Sequence, residues 1–118
     1  LTKYVVKYMK SKGGKIINFA STAGMSSRPG WLAYACSKAA VISLSQTLSE
    51  ELKEYKIKVY CISPGRCATD LRKILAPEED PSTIMQPEDV AVFVENILSD
   101  YGDILDSQNI VLRKQTIP

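Results

Sequence analysis

Short apolar runs that alternate with helical segments are the feature that most constrains the fold of this chain. Three runs are candidate buried strands: KIINFA at 15–20, IKVYCI at 57–62 and NIVL at 109–112. The first two are almost continuously apolar, which is typical of parallel strands covered on both faces. The order helix, strand, helix, strand, helix, strand therefore predicts an α/β fold, a partial doubly wound parallel sheet with helices on both faces.

The helical segments differ in how many apolar sides they have. Residues 1–12 predict the end of an amphipathic helix, stopped by Gly13 and Gly14, with an apolar side formed by Leu1, Val5, and Tyr8 or Met9. Residues 32–55 predict a long helix with two apolar stripes, one of Val41, Leu44, Leu48 and Leu52 and one of Ala35, Ala39 and Ile42. Two stripes imply two packing partners, the sheet and a partner helix or subunit.

The remaining segment before the last strand is polar and then helical. Residues 66–85 are punctuated by two prolines, and we expect one helical turn at Leu71–Leu75. Pro87 marks a helix start with acids in its first turn, followed by an apolar face of Val90, Phe93, Val94, Ile97 and Leu98.

Composition narrows the class of protein. The chain has 118 residues, of which 45% are hydrophobic and 24% charged, as expected for one globular domain. A net charge of +2 gives no strong attraction to nucleic acid or to an anionic membrane, and no apolar run is long enough to span a bilayer. Three cysteines without CxxC spacing or histidine partners favour reduced thiols in the cytoplasm and no metal site. Because Leu1 is not methionine and the pattern opens in mid-helix, we expect a piece of a longer chain.

A chain without histidine needs another proton carrier if it is an enzyme. Tyr34 and Lys38 lie four residues apart on the long helix, but Tyr8 and Lys12 have the same spacing, so spacing alone is a weak signal. Other candidate functional residues accompany the pair at 34–38. Ser21 directly follows the first strand, at the end where parallel sheets bind ligands, and PGRCAT at 64–69 follows the second strand.

These motifs in register resemble the short-chain dehydrogenase/reductases. Ser21, Tyr34 and Lys38 match that family's catalytic serine and YxxxK pair, and PGRCAT matches its PGxVxT segment with Cys67 in place of valine. The resemblance covers the C-terminal half of a single Rossmann-like domain. The family's glycine-rich phosphate loop, its NAD- or NADP-selecting residue and its catalytic asparagine would precede Leu1, so we expect these 118 residues alone to be inactive.

The resemblance implies hydride transfer between NAD or NADP and a small carbonyl or alcohol. Tyr34 would exchange the proton, Ser21 would orient the substrate oxygen, and Lys38 would bind the nicotinamide ribose. A tyrosine has an ordinary pKa of about 10, and a nearby ammonium favours its phenolate form. Because the second apolar stripe of the helix at 32–55 needs covering, we also expect a homo-oligomer formed through this helix. The implied cofactor contacts are Tyr34, Lys38, Pro64, Gly65, Cys67 and Thr69.

The residues that suggest the class of substrate follow the second strand. Arg66, Arg72 and Lys73 would suit a phosphorylated or carboxylated substrate, although a solvated charged loop has the same composition. The pattern RxAT followed by EEDPSTIM also resembles reductase domains that are joined to, or work with, ribitol-5-phosphate cytidylyltransferases. That resemblance implies reduction of ribulose 5-phosphate to ribitol 5-phosphate.

Each residue also has a purely structural interpretation. Ser21 could cap a helix, Pro64 and Gly65 could form a plain turn, and Cys61 and Cys67 could be small buried hydrophobes. Two other protein classes stay open: a non-catalytic interaction module that uses the two-sided helix for pairing, and a methyltransferase or other nucleotide-binding half-sheet.

Overall fold

The computed structural model describes residues 1–106 and 109–114. Within these ranges the helices and strands are, in chain order, α1 Thr2–Met9, β1 Gly14–Phe19, α2 Leu32–Glu51, β2 Ile57–Pro64, α3 Asp70–Leu75, α4 Pro87–Leu98 and β3 Asn109–Leu112. The described residues fall into two compact units. The first consists of residues 1–63 with 106, 109 and 110, and the second of residues 64–105 with 111–114.

The sheet has the strand order β1-β2-β3. β1 and β2 run parallel, in a register that extends from Gly14 opposite Ile57 to Phe19 opposite Ile62. Every residue of β2 from Val59 to Ser63 is fully buried. Because successive side chains of a strand point to opposite faces, both faces of β2 are covered. The predicted α/β fold with a parallel sheet is confirmed.

The hydrophobic core of the first unit joins α1, α2 and the two paired strands. Its buried members are Val6, Leu52, Ile57 and Val59, and partly buried residues such as Ile16 and Leu48 pack against them. Full burial of an aliphatic side chain of this size contributes about 1.5–3 kcal/mol. These contacts fix α2 against the strands, and α2 carries two of the three candidate catalytic residues.

The apolar side predicted for the first helix is wrong at three positions. Leu1, Val5 and Tyr8 are 99%, 38% and 77% exposed, whereas Val6 is buried and Met9 is half-buried. The helix has only two turns, so its buried stripe is narrow and runs through Val6 and Met9. The predicted stop is confirmed: Gly13 adopts a φ of 72°, which favours glycine, as the chain turns into β1.

The long helix ends at Glu51, earlier than the predicted Tyr55, and a 3₁₀ turn covers Lys53–Tyr55. Its buried stripe passes through two serines, Ser45 and Ser49, while Leu44 is 49% exposed and Ala39 is exposed. The two-stripe prediction is therefore wrong at Leu44 and Ala39. Ser45 can be buried because its hydroxyl accepts a hydrogen bond from the Asn18 amide (3.0 Å) and donates to the Val41 carbonyl (2.7 Å).

In the second unit the predicted helix starts are confirmed. α3 covers the expected turn, and α4 begins at Pro87, where the Gln86 backbone N–H donates to the Asp89 carboxylate at 2.7 Å. The predicted apolar face of α4 is wrong at Leu98, which is 59% exposed because the helix ends there. Within the described ranges, no helix is long and apolar enough to cross a membrane.

Candidate active site

Ser21 lies just beyond the carboxyl end of β1. The Ala20 N–H donates to the Ile62 carbonyl at 2.7 Å, which extends the pairing of β1 and β2 to the residue before Ser21. Ser21 then caps a short 3₁₀ turn, Thr22–Gly24, by accepting a hydrogen bond from the Ala23 N–H at 3.1 Å. The capping interpretation is thus correct, and it uses only the hydroxyl oxygen as an acceptor. Over residues 1–106 and 109–114 the Ser21 hydroxyl proton has no acceptor, so it is available to a ligand.

Tyr34 and Lys38 occupy successive turns at the start of α2. The Lys38 ammonium lies 5.7 Å from the centroid of the Tyr34 ring and donates to the Phe19 carbonyl at 3.3 Å. Phe19 is the last residue of β1, two positions before Ser21. The structure therefore brings Lys38 both to the Tyr34 ring and to the strand end that leads to Ser21.

The Tyr34 side chain is open to a ligand. Tyr34 is 36% exposed, and its hydroxyl has no hydrogen-bond partner in the part of the chain that the structure describes. The Trp31 ring packs edge-on against the Tyr34 ring, with the centroids 5.6 Å apart and an interplanar angle of 74°. This aromatic contact restrains the tyrosine ring. Trp31 was not predicted from the sequence; its position one helical turn before Tyr34 is the signal that could have indicated the contact.

Gly24 sets the spacing between the turn that begins at Ser21 and helix α2. A Cβ atom at Gly24 would lie 2.7 Å from both the Lys38 carbonyl carbon and the Ala39 nitrogen. Only a residue without a side chain permits this approach of two backbones. Sequence reasoning missed Gly24, although a glycine three residues after a candidate catalytic serine is a signal for close packing.

The PGRCAT segment is ordered by contacts within the second unit. The Gly65 N–H donates to the Leu112 carbonyl at 2.8 Å, and the Ala68 N–H donates to the Met85 carbonyl at 2.8 Å beside a parallel bridge between Cys67 and Met85. Thr69 caps α3 through its hydroxyl, which accepts from the Arg72 N–H at 3.2 Å. The sequence did not predict this cap.

The cysteines behave as ordinary thiols. Cys61 is fully buried, and burial raises the pKa of its thiol, an effect that hydrogen bonds with Ser45 and Ser63 partly oppose. Burial likewise raises the pKa of Cys67. Both thiols are therefore uncharged at neutral pH, and the interpretation of Cys61 as a small buried hydrophobe is confirmed.

Arg66 and Arg72 are joined by one carboxylate. Glu79 accepts from Arg66 Nη1 through Oε1 and from Arg72 Nε through Oε2, each at 2.6 Å. The hydrogen bond from Arg72 lowers the pKa of Glu79, and the same bond raises the pKa of Arg72. Lys73 instead pairs with Asp70 at 3.0 Å on the surface. The predicted basic cluster is thus an organised pair of arginines and a separate, solvated lysine.

Comparison with known proteins identifies the family. The family model described as short chain dehydrogenase matches residues 1–80. The chain belongs to the short-chain dehydrogenase family. The matched residues include Ser21, Tyr34 and Lys38, and also the PGRCAT segment.

Relatives of this short-chain dehydrogenase chain are reductases and dehydrogenases. It is 38% identical over 105 residues to a 3-oxoacyl-[acyl-carrier-protein] reductase of Synechocystis, which covers 84% of this chain and 42% of that protein. It is 33% identical over 118 residues to the 3-oxoacyl-[acyl-carrier-protein] reductase FabG of Thermotoga maritima, covering 92% and 48%. Among solved structures, a 4-hydroxyisoleucine dehydrogenase mutant complexed with NADH and succinate matches with a TM-score of 0.85 at 27% identity, covering 94% of this chain and 51% of that one. The chain thus spans under half the length of these two curated relatives.

Proposed function

We propose that this chain carries the catalytic residues of an NAD- or NADP-dependent oxidoreductase that acts on a small carbonyl or alcohol. One observation carries the proposal. The Lys38 ammonium is anchored on the Phe19 carbonyl while it lies beside the ring of Tyr34, whose hydroxyl points to no partner in the described chain. A cation held beside a phenol stabilises the negative charge that forms when the phenol gives up its proton.

The chemistry of the three side chains follows from what they can donate. A reduced nicotinamide, when bound, supplies a hydride to the carbonyl carbon and is left oxidised. Tyr34 donates its phenolic proton to the carbonyl oxygen as negative charge develops there, which yields the alcohol. Lys38 stabilises the resulting phenolate by its positive charge, and Ser21 orients the substrate oxygen with its free O–H.

The hydrogen-bond donors of Lys38 fit the ribose of a nicotinamide cofactor. Lys38 has three N–H groups and gives one to Phe19, so two remain for the vicinal hydroxyls of a ribose. For Pro64, Gly65, Cys67 and Thr69 we propose contacts to the nicotinamide on the strength of the family motif. The solved relative with NADH supports a nicotinamide dinucleotide, and either NAD or NADP is consistent with this chain.

The relatives span roughly twice the length of this chain. We propose that the 118 residues are the C-terminal part of one Rossmann-like domain and do not turn over substrate by themselves. The experiments below therefore use the full-length protein. Its proposed compartment is the cytoplasm, because the three cysteines of the chain are free thiols.

For the substrate we propose a sugar phosphate, with ribulose 5-phosphate as the first compound to test. Arg66 and Arg72 support this class, because two guanidinium groups that converge on one point suit a phosphate. A second candidate is a 3-oxoacyl thioester, which the printed names of the Synechocystis and Thermotoga relatives favour.

A substrate comparison separates the two candidates. We expect the full-length protein to reduce ribulose 5-phosphate with a kcat/KM at least about tenfold above that for unphosphorylated ribulose, since a charge-assisted bidentate contact is worth at least that factor. The measurement is the oxidation of reduced nicotinamide with ribulose 5-phosphate, ribulose and a 3-oxoacyl thioester. Preference for the thioester, or equal rates for the two sugars, would contradict the sugar-phosphate assignment and leave hydride transfer intact.

We further propose that the protein forms a homo-oligomer through α2. Beside its buried stripe the helix exposes a second set of small and apolar residues: Leu32, Ala33, Cys36, Ala40 and Leu44. An apolar helix face of this kind supports pairing with a second copy.

Replacing Leu44 with aspartate should convert the oligomer into smaller species, because it would place a charge in the proposed interface. Sedimentation velocity of the full-length protein measures this directly. The control is Gln46→Asp, which adds the same side chain to the same helix at an exposed polar position. Unchanged sedimentation of the Leu44 variant would contradict pairing through this face.

A further inference from the structure

The second unit contains an arrangement that neither the family motifs nor the relatives assign. Two guanidinium groups, from Arg66 and Arg72, converge on the single carboxylate of Glu79, and each oxygen accepts one N–H at 2.6 Å. The carboxylate is shielded, with its side chain 15% exposed, while Arg66 and Arg72 are 58% and 27% exposed. Two arginines that converge on one anion can bind a carboxylate or a phosphate through paired N–H donors.

The loop around this pair is closed on itself, so the arginines are held in place. It leaves at Arg66–Ala68 and returns at Met85, where the Ala68 N–H donates to the Met85 carbonyl and the Met85 N–H donates to the Arg66 carbonyl at 3.3 Å. Arg72 is further fixed by the Thr69 cap on its backbone. The backbone that carries the two arginines is therefore ordered by hydrogen bonds.

An open pocket of about 250 Å³ is lined in part by Arg72 and Glu79, whereas Arg66 lies outside its lining. Its polar lining comes from Thr69, Arg72, Lys73 and Glu79, and its apolar lining from small residues and prolines with Ile84. The volume is below the range of about 300–1,000 Å³ typical of drug-sized ligands. It is large enough for a small anionic group.

We propose that Arg66 and Arg72 form an anion-binding site, and that Glu79 is an internal anion that occupies this site until an external phosphate or carboxylate group displaces it. The sequence alone suggested that the two arginines bind an anion. The structure adds that the Glu79 carboxylate already binds both of them. The charges decide the direction of the effect. With Glu79 bound the cluster carries one net positive charge, and removal of the carboxylate leaves two arginines whose N–H donors need a new acceptor. Glu79 therefore competes with any external anion for the same arginine donors.

The test compares two neighbouring glutamates in the full-length protein, with inorganic phosphate as the probe. Glu79→Gln removes the internal anion, and Glu78→Gln removes the same charge from an exposed neighbour outside the contacts just described. We expect the phosphate dissociation constant, measured by the phosphate-dependent rise in Tm against chloride at equal ionic strength, to fall about tenfold or more in the Glu79 variant. The Glu78 variant should behave as the parent protein.

Three results would overturn the proposal: no phosphate binding by the Glu79 variant, an equal gain in both variants, or binding that persists after Arg72→Gln is added to Glu79→Gln. If Glu79→Gln does not fold, the parent protein gives the answer. Phosphate should then shift the NMR signal of the Arg72 Nε–H, which bonds Glu79, whereas chloride should not, and an unmoved signal refutes the site.

The identity of the anion as a substrate group rests on the proposed function, but the binding test does not. Phosphate binding is measured without cofactor or turnover, so its failure leaves hydride transfer at Tyr34 untouched. Loss of the sugar-phosphate preference in the substrate comparison, with phosphate still bound, would instead assign the site to a different anion.

Discussion

Replacing Tyr34 with phenylalanine is expected to lower kcat for hydride transfer in the full-length protein by about 10²–10⁴-fold, the usual contribution of a positioned general acid. The substitution removes one oxygen atom and keeps the ring that packs edge-on against Trp31. It also leaves Lys38 anchored on the Phe19 carbonyl, so binding of the nicotinamide should change little. The measurement pairs turnover with cofactor affinity.

The chain supplies its own probe and its own control for this experiment. Trp31 is the only tryptophan in these 118 residues and packs on Tyr34, so the part of the energy transfer to a reduced nicotinamide that Trp31→Phe abolishes reports binding beside the Tyr34 ring. Tyr8 has a lysine at the same spacing as Tyr34 but is 77% exposed on α1, and Tyr8→Phe should leave turnover unchanged. If Tyr34→Phe kept most of the turnover, Tyr34 would not be the proton donor. A fall in both variants would point to a loss of folding.

Replacing Gly24 with alanine is expected to have the second largest effect, on stability and on catalysis together. The new methyl group would lie 2.7 Å from the Lys38 carbonyl carbon and the Ala39 nitrogen, both of which are backbone atoms that cannot rotate away. Overpacking of this kind costs about 1–3 kcal/mol in the free energy of unfolding. Relief of the clash must move the turn after Ser21 away from the helix that carries Lys38, and a misplacement of about 1 Å can lower the rate 10²-fold.

Denaturant unfolding and kcat, measured on the same protein, test this prediction. The comparison variant is Gly30→Ala, where a Cβ would meet no atom within 4 Å but a φ of 82° still strains an alanine. Gly30→Ala should cost stability without a matching loss of kcat, whereas Gly24→Ala should lower both. A Gly24 variant with normal kcat would show that the spacing between this turn and α2 has no catalytic role.

The candidate catalytic residues were readable from the sequence because their signals are local. Ser21 follows an apolar strand, and Tyr34 and Lys38 lie on successive turns of one helix, so chain connectivity alone limits how far apart they can lie. Their proposed roles depend on the resemblance to short-chain dehydrogenases and on the contacts at Phe19. The predicted helix starts at Asp70–Leu75 and Pro87 were likewise local, set by caps and by proline.

Apolar periodicity was a poorer guide to which helix faces are buried. It placed Leu44 inside and overlooked Ser45, because a pattern of side-chain polarity cannot show that Asn18 and the Val41 carbonyl satisfy a buried hydroxyl. It also chose Leu1 and Tyr8 over Val6 on a helix too short for its pattern to be decisive. Burial depends on what each face meets across the fold, which periodicity does not contain.

The sequence by itself determined the order of strands and helices, the parallel α/β class and the residues that could transfer a proton. Only the tertiary structure decided two other contacts: the one between Lys38 and the Phe19 carbonyl, and the one between the two arginines and the Glu79 carboxylate. The physical reason is that propensity and motif spacing act over one or two turns of chain. The Phe19 contact joins residues 19 positions apart and the Arg66 contact residues 13 apart, so both exist only after folding brings them together.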